Sequence, residues 1–190
     1  TRGGTAGNYV TFKSENPLGE RLDGQSNTIM IAWFLEAEYI RIEGFEIYGT
    51  KGGGVTSWNS HIQIVGNHIH HIGRYCTNTI YGSSAIGALD ASDWTIEKNT
   101  FNDIGRFDGT EAGCTQTAHL FNDHGLYIET VDTITIKNNI FYNIYRGWPI
   151  MFYHSGSSVP STNVKILNNT MVGTAPYSGG GHIMYAEPGV

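Results

Sequence analysis

The sequence predicts an all-β chain wound as a parallel β-helix, on three observations. A six-residue phrase recurs as Ile42-Glu43-Gly44-Phe45-Glu46-Ile47, Ile64-Val65-Gly66-Asn67-His68-Ile69, Ile96-Glu97-Lys98-Asn99-Thr100-Phe101, Ile136-Lys137-Asn138-Asn139-Ile140-Phe141 and Ile166-Leu167-Asn168-Asn169-Thr170-Met171. Four of the five copies put Asn at one corner: Asn67, Asn99, Asn139 and Asn169. A further stretch of alternating apolar residues precedes each phrase. Strand, corner and strand, repeated along a chain, describe the coils of a solenoid.

The elements follow in chain order. Residues 9–13 read as the strand before a corner, and each phrase supplies one strand before its corner and one after it. The preceding strands are expected at 28–32, 54–58, 85–89, 125–129, 149–153 and 182–186, giving about six coils. Alternation sends Leu126, Ile128, Ile150, Phe152, Ile183 and Tyr185 inward, and Tyr127, Glu129, Met151 and Tyr153 outward. The corner Asn is expected to adopt the left-handed backbone of a sharp turn and to bond amide to amide with its neighbours, as an Asn ladder. The first isoleucines, Ile42, Ile64, Ile96, Ile136 and Ile166, step by 22, 32, 40 and 30 residues. The shortest step is a bare coil; the longer ones carry loops, at 73–84, 105–124 and 154–163, beside the outward face of the 125–129 and 149–153 strands.

Composition narrows the function. The 11 Lys+Arg residues against 17 Asp+Glu leave no basic footprint, so no nucleic-acid partner is expected. No apolar run approaches the roughly 20 residues that cross a bilayer, so no membrane insertion is expected. Residues 1–190 read as one β-helix domain, whole or part of a longer solenoid. The abrupt start at Thr1-Arg2-Gly3-Gly4 leads us to expect a processed or truncated N-terminus. The chain stops at His182-Ile183-Met184-Tyr185-Ala186-Glu187-Pro188, in mid-coil, and shows no obvious cap. We therefore expect a fragment of a longer helix or end-to-end self-association.

Asn122-Asp123-His124-Gly125-Leu126-Tyr127-Ile128, followed by Thr133-Ile134-Thr135-Ile136-Lys137-Asn138-Asn139-Ile140-Phe141, resembles the right-handed parallel β-helix repeats of the pectate-lyase-like superfamily. The opening Gly4-Thr5-Ala6-Gly7-Asn8-Tyr9-Val10-Thr11-Phe12-Lys13 with Leu22-Asp23-Gly24 is similar to the first coils of its secreted polysaccharide-degrading members. The resemblance implies an extracellular or cell-surface protein and a polysaccharide partner. It implies a lyase or hydrolase acting on an acidic glycan, with the cleft on the outward face named above. A non-catalytic structural or adhesive module of the same fold is the alternative, since one fold hosts many functions. The chain departs from polygalacturonase-type hydrolases: the paired Asp-Asp, Gly-His-Gly and Arg-Ile-Lys patterns are missing.

Candidate site residues gather around the loops. His124, Glu129, His154 and Arg106 are the candidate catalytic groups, because cleaving a sugar bond needs an acid and a base, or a base and a cation beside a uronate. Arg74, Arg106 and Arg146 recur at one coil position; they either contact an acidic chain or pair structurally with Asp103 and loop carbonyls. Arg74 and Arg146, with Tyr127 and Tyr153, are the candidate substrate-binding groups. Trp58 and Trp148 could also stack on sugars, or Trp148 could pack a loop. Asp108, Glu111 and Asp123 offer oxygen ligands of the kind calcium takes; no other cofactor is expected there. His61, His68, His70 and His71 form a second cluster. His68 and His70 share an outward face above Glu46, as zinc or nickel ligands or as a solvated polar face. Cys76 and Cys114, in successive loops, are either bridged or two free thiols.

Overall fold

The computed structural model describes residues 2–76, 82–107, 121–154, 160–173 and 181–186. Every regular element among them is a strand, and every pairing between strands is parallel. One six-stranded sheet stacks the strands that follow the corner, in the order Arg21–Asp23, Glu46–Tyr48, His68–His70, Thr100–Ile104, Ile140–Ile144 and Thr170–Val172. A ten-stranded sheet carries the strands before the corner together with the preceding set.

In-register parallel pairing turns each sequence repeat into a column of like side chains. Ile42, Ile64, Ile96 and Ile136 pair in sequence and are fully buried. Ile47, Ile69, Phe101 and Phe141 form a second column, where the two phenylalanine rings stack at 4.8 Å. Leu126 pairs Ile150 and Ile128 pairs Phe152, all inward; Tyr127, Glu129 and Tyr153 face out and are only partly covered. One continuous apolar core results, shared by the inward faces of both sheets.

The corner differs from its sequence reading. Positive φ falls one residue before the ladder position, at Gly44 (78°), Gly66 (64°), Lys98 (57°), Asn138 (57°) and Asn168 (52°). The ladder asparagines are there for their amides instead. Asn67 Nδ2 donates to Asn99 Oδ1 at 3.1 Å, Asn99 Nδ2 to Asn139 Oδ1 at 3.1 Å, and Asn139 Nδ2 to Asn169 Oδ1 at 2.9 Å.

Two element boundaries also move. The strand expected at 28–32 lies at Ile31–Leu35, because Gln25, Ser26 and Asn27 take positive φ and the turn holds Thr28 to the Gly24 carbonyl at 3.0 Å. The strands expected separately around 85–89 and 125–129 run on into their successors as Ser84–Glu97 and His124–Lys137. Single left-handed residues, Asp90 and Asp93 in one and Thr130 and Thr133 in the other, bend each chain while the ladder between the two strands continues.

Candidate functional site

The outward column on the first strands of successive coils runs Phe34, Thr56, Gly87, Tyr127, Met151 and Met184. Where Thr56 and Gly87 give way to Tyr127 and Met151, the larger side chains border a hollow that is also lined by the small residues Gly82, Ser83 and Ser84. It is a cavity of about 640 Å³, walled by His124, Tyr127, Met151 and Tyr153 from the strands and by Phe121 and Trp148 from the segments leading into them.

His124 sits at the base of this wall. Its ring stacks against Tyr127 and Trp148, each with centroids 5.8 Å away, and it is almost wholly buried. Its Nδ1 accepts the Trp148 backbone N–H at 3.2 Å, which places the proton of the neutral ring on Nε2. Gly147 makes that approach possible: a Cβ there would lie 2.4 Å from His124 Nδ1 and 2.2 Å from the Asp123 carbonyl. Burial lowers the imidazole pKa to about 4 against the opposing pull of the Asp123 charge, so the ring is neutral at pH 7.

Tyr127 Oη donates to Glu129 Oε2 at 3.2 Å, and the Tyr127 and Tyr153 rings stack at 6.1 Å. Burial first, then the charge and hydrogen bond of Glu129, raise the Tyr127 pKa and keep its hydroxyl protonated. Tyr127 is therefore a protonated hydroxyl on the cavity wall, bonded to Glu129, which is not among the residues lining the cavity. His154, half-buried after the Ile150–Tyr153 strand, is not among the residues lining the cavity.

The repeated arginines go elsewhere. Arg106 is fully buried, its Nε 3.0 Å from Asp123 Oδ2, so it is a scaffold group and not one that reaches a substrate. Arg146 is likewise fully buried. Arg74 lies between the Phe107 and Tyr145 rings, 4.1 Å and 4.0 Å from their centroids, and donates to the Gly105 carbonyl at 2.8 Å. This is the loop-carbonyl role left open by the sequence, strengthened by cation–π contact. No Lys or Arg is among the described residues lining the cavity.

The calcium reading fails at Asp123. Its Oδ1 accepts the Ser83 N–H (2.9 Å) and hydroxyl (3.2 Å), and its Oδ2 accepts the Arg106 N–H (2.9 Å) and Nε–H (3.0 Å). Four donors occupy a fully buried carboxylate that has about four acceptor positions. Asp108 and Glu111 lie outside the described residues. Donors suited to a metal gather instead on the six-stranded sheet, at Glu46, His68 and His70. Cys76 is disulfide-bonded; the sequence's only other cysteine, Cys114, lies outside the described residues.

Reading the sequence alone missed Phe121 and left Trp148 open between stacking on sugars and packing a loop; the structure puts it on the cavity wall. The signal was Gly147-Trp148-Pro149: a glycine before a large aromatic, where a backbone must pass close to another side chain.

Parallel coils, a shared core column and a groove on one outward face define a β-solenoid with a lateral site. The chain belongs to the right-handed β-helix family: the family description "Right handed beta helix region" matches residues 5–187. No curated protein and no solved structure matches the chain.

Proposed function

We propose that this is an extracellular carbohydrate-active protein that binds a polysaccharide in the Tyr127–Tyr153 groove and cleaves it with Tyr127 and Glu129 as the proton-transferring pair. The observation that carries the reading is an aromatic-walled cavity of about 640 Å³ whose lining residue Tyr127 is hydrogen-bonded to Glu129. Phe121, Tyr127, Trp148 and Tyr153 offer ring faces of the kind that stack on sugars, each apolar in body with a polar tip on the tyrosines and tryptophan. Breaking a glycosidic bond needs a proton for the leaving oxygen and a base for the attacking water or the abstracted ring proton. Tyr127 lines the cavity and Glu129 does not, so Glu129 accepts the Tyr127 proton while Tyr127 takes one from the water or the ring carbon, and a proton then returns through Tyr127 to the leaving oxygen. The His124 Nε2–H serves as a fixed donor to a sugar hydroxyl. The disulfide at Cys76 fits an oxidising compartment.

Because Arg106 and Arg146 are buried and Arg74 is sandwiched, recognition rests on stacking and hydroxyl contacts more than on pairing with uronate carboxylates. A panel of neutral and uronate polymers, read for new reducing ends and for the absorbance of unsaturated products, tests the proposal and separates hydrolase from lyase. Glu129→Gln should lower turnover by about 100-fold or more while binding in affinity gels persists. Binding without product from the parent chain would make it a glycan-binding module. Failure to bind any polymer would remove the carbohydrate reading altogether.

A further inference from the structure

We propose that Glu46, His68 and His70 form a binding site for a zinc-class divalent ion on the six-stranded sheet, separate from the sheet that carries the groove. Parallel pairing sets Glu46 beside His68 and Tyr48 beside His70 on the strands Glu46–Tyr48 and His68–His70. Their outward side chains thus stand one strand spacing apart, about 4.8 Å. One donor atom from each of the three residues lies within 4.8 Å of the other two. His70 Nε2 and Glu46 Oε1 are 3.1 Å apart. Two ligands at about 2.0–2.1 Å from a tetrahedral ion stand roughly 3.3 Å apart, so this pair already has the separation the ion imposes.

The groups behind the donors are what distinguish this cluster from a solvated polar face. His68 Nε2 donates to Asn102 Oδ1 at 2.6 Å, and Asn102 is oriented by its own Nδ2 donating to Asp103 Oδ2 at 2.6 Å. That fixes the His68 proton on Nε2 and leaves Nδ1 with a lone pair. His70 is stacked flat on Tyr48, with centroids 5.2 Å apart and planes 5° from parallel, and its Nδ1 lies 2.7 Å from His71 Nδ1. Arg21 Nε holds Glu46 Oε2 at 2.6 Å, so Oε1 is the oxygen left to a ligand. Metal-binding histidines characteristically have the far ring nitrogen held in this way, which fixes ring orientation before the ion arrives.

Without an ion, His70 Nε2–H donates to Glu46 and His71 Nδ1–H donates to His70 Nδ1. With an ion on Nε2, the His70 proton resides on Nδ1 and points to His71, whose own proton moves to Nε2. Both rings stay neutral, and no net proton is released by the pair. Two imidazoles and one carboxylate leave a fourth position for water, a donor set suited to zinc, cobalt or nickel and poorly suited to calcium or magnesium.

The test is titration of the full chain with zinc and with cobalt, by calorimetry and by the visible absorption of cobalt. One ion per chain and a tetrahedral cobalt spectrum are expected, with magnesium giving neither. Glu46→Gln keeps the size and the hydrogen bond to His70 and should weaken zinc binding 10-fold or more. His70→Asn should abolish the cobalt spectrum, with circular dichroism confirming the fold in both variants. Absence of zinc binding by the parent chain at millimolar metal would overturn the site, as would unchanged affinity in a folded Glu46→Gln variant. These readouts do not involve carbohydrate, so they stand or fall apart from the groove.

Discussion

Asn99 shows what the corner asks of a side chain. Its Oδ1 accepts both the Asn67 backbone N–H (2.9 Å) and the Asn67 Nδ2 (3.1 Å). Its Nδ2 donates to the Ile64 carbonyl (2.9 Å) and to Asn139 Oδ1 (3.1 Å). Only a carboxamide offers two donors and two acceptors on so short a stem: Asp has no donor, and Gln is one carbon too long to reach both neighbours. Asn99→Ala therefore strands buried groups on both adjacent coils and should cost about 3 kcal/mol in urea unfolding. Asn169→Ala removes three such bonds, two from Asn139 and one to the Ile136 carbonyl, at a half-buried position where water replaces part of them, and should cost less than half as much. Equal losses at the two positions would mean the ladder does not act through burial. The repeat made the asparagines legible as corner residues. The left-handed backbone one residue earlier was only partly legible: Gly44, Gly66, Asn138 and Asn168 are residue types that accept positive φ, but Lys98 is not, and the more regular Asn column stands one position later.

The corner and its two strands make the repeating unit, and that unit explains why Gly, Lys and Asn interchange. At Gly66 the φ is +64°, and a Cβ placed on it would meet nothing within 4 Å. Strain is then the whole cost of a side chain there, and Asn carries the least strain after Gly. Gly66→Asn loses a little to strain and gains by restricting the unfolded chain, so it should leave stability within about 0.5 kcal/mol of the parent. Gly66→Val should cost more than about 1 kcal/mol at the same site, since a β-branched residue resists positive φ. Thermal melts of the two variants check this. Period-two alternation was enough to read the strands and to place Tyr127, Glu129 and Tyr153 on one outward face, because pleat geometry fixes it locally. The arginines were different. Their spacing matched a ladder, but their direction depends on Asp123 and Tyr145, which approach from later coils, and no local rule encodes that approach. The same holds for His124, whose burial depends on Gly147 letting Trp148 lie across it.

Burial of His124 has a consequence for the stability of the entire solenoid. The folded ring titrates at about 4, against the ordinary 6.5 of a solvated imidazole, because burial outweighs the Asp123 charge. Between those two values the unfolded chain binds a proton at this position and the folded chain does not, so stability falls as pH drops through the window. A gap of that width corresponds to about 3 kcal/mol, fully lost near pH 4 and fully regained above about pH 6.5. His70, also lowered by burial, adds to the same slope. Carboxylates act later and in a separate range. Glu43, held down by hydrogen bonds from Lys13 and Arg41, contributes stability that is present above its ordinary 4.5 and lost only below it. Asp103 does the same below 3.8, where burial pushes its pKa up and hydrogen bonds from Asn102, Tyr145 and Asn143 together pull it further down. Urea midpoints measured from about pH 7 to about pH 4.5 should therefore decline before any of these carboxylates is protonated in the folded chain. His124→Gln, which can still accept the Trp148 N–H, should flatten most of that decline while leaving the loss below about pH 4 in place. A variant with an unchanged slope would show that the acid sensitivity of this β-helix lies outside the histidine beneath its groove.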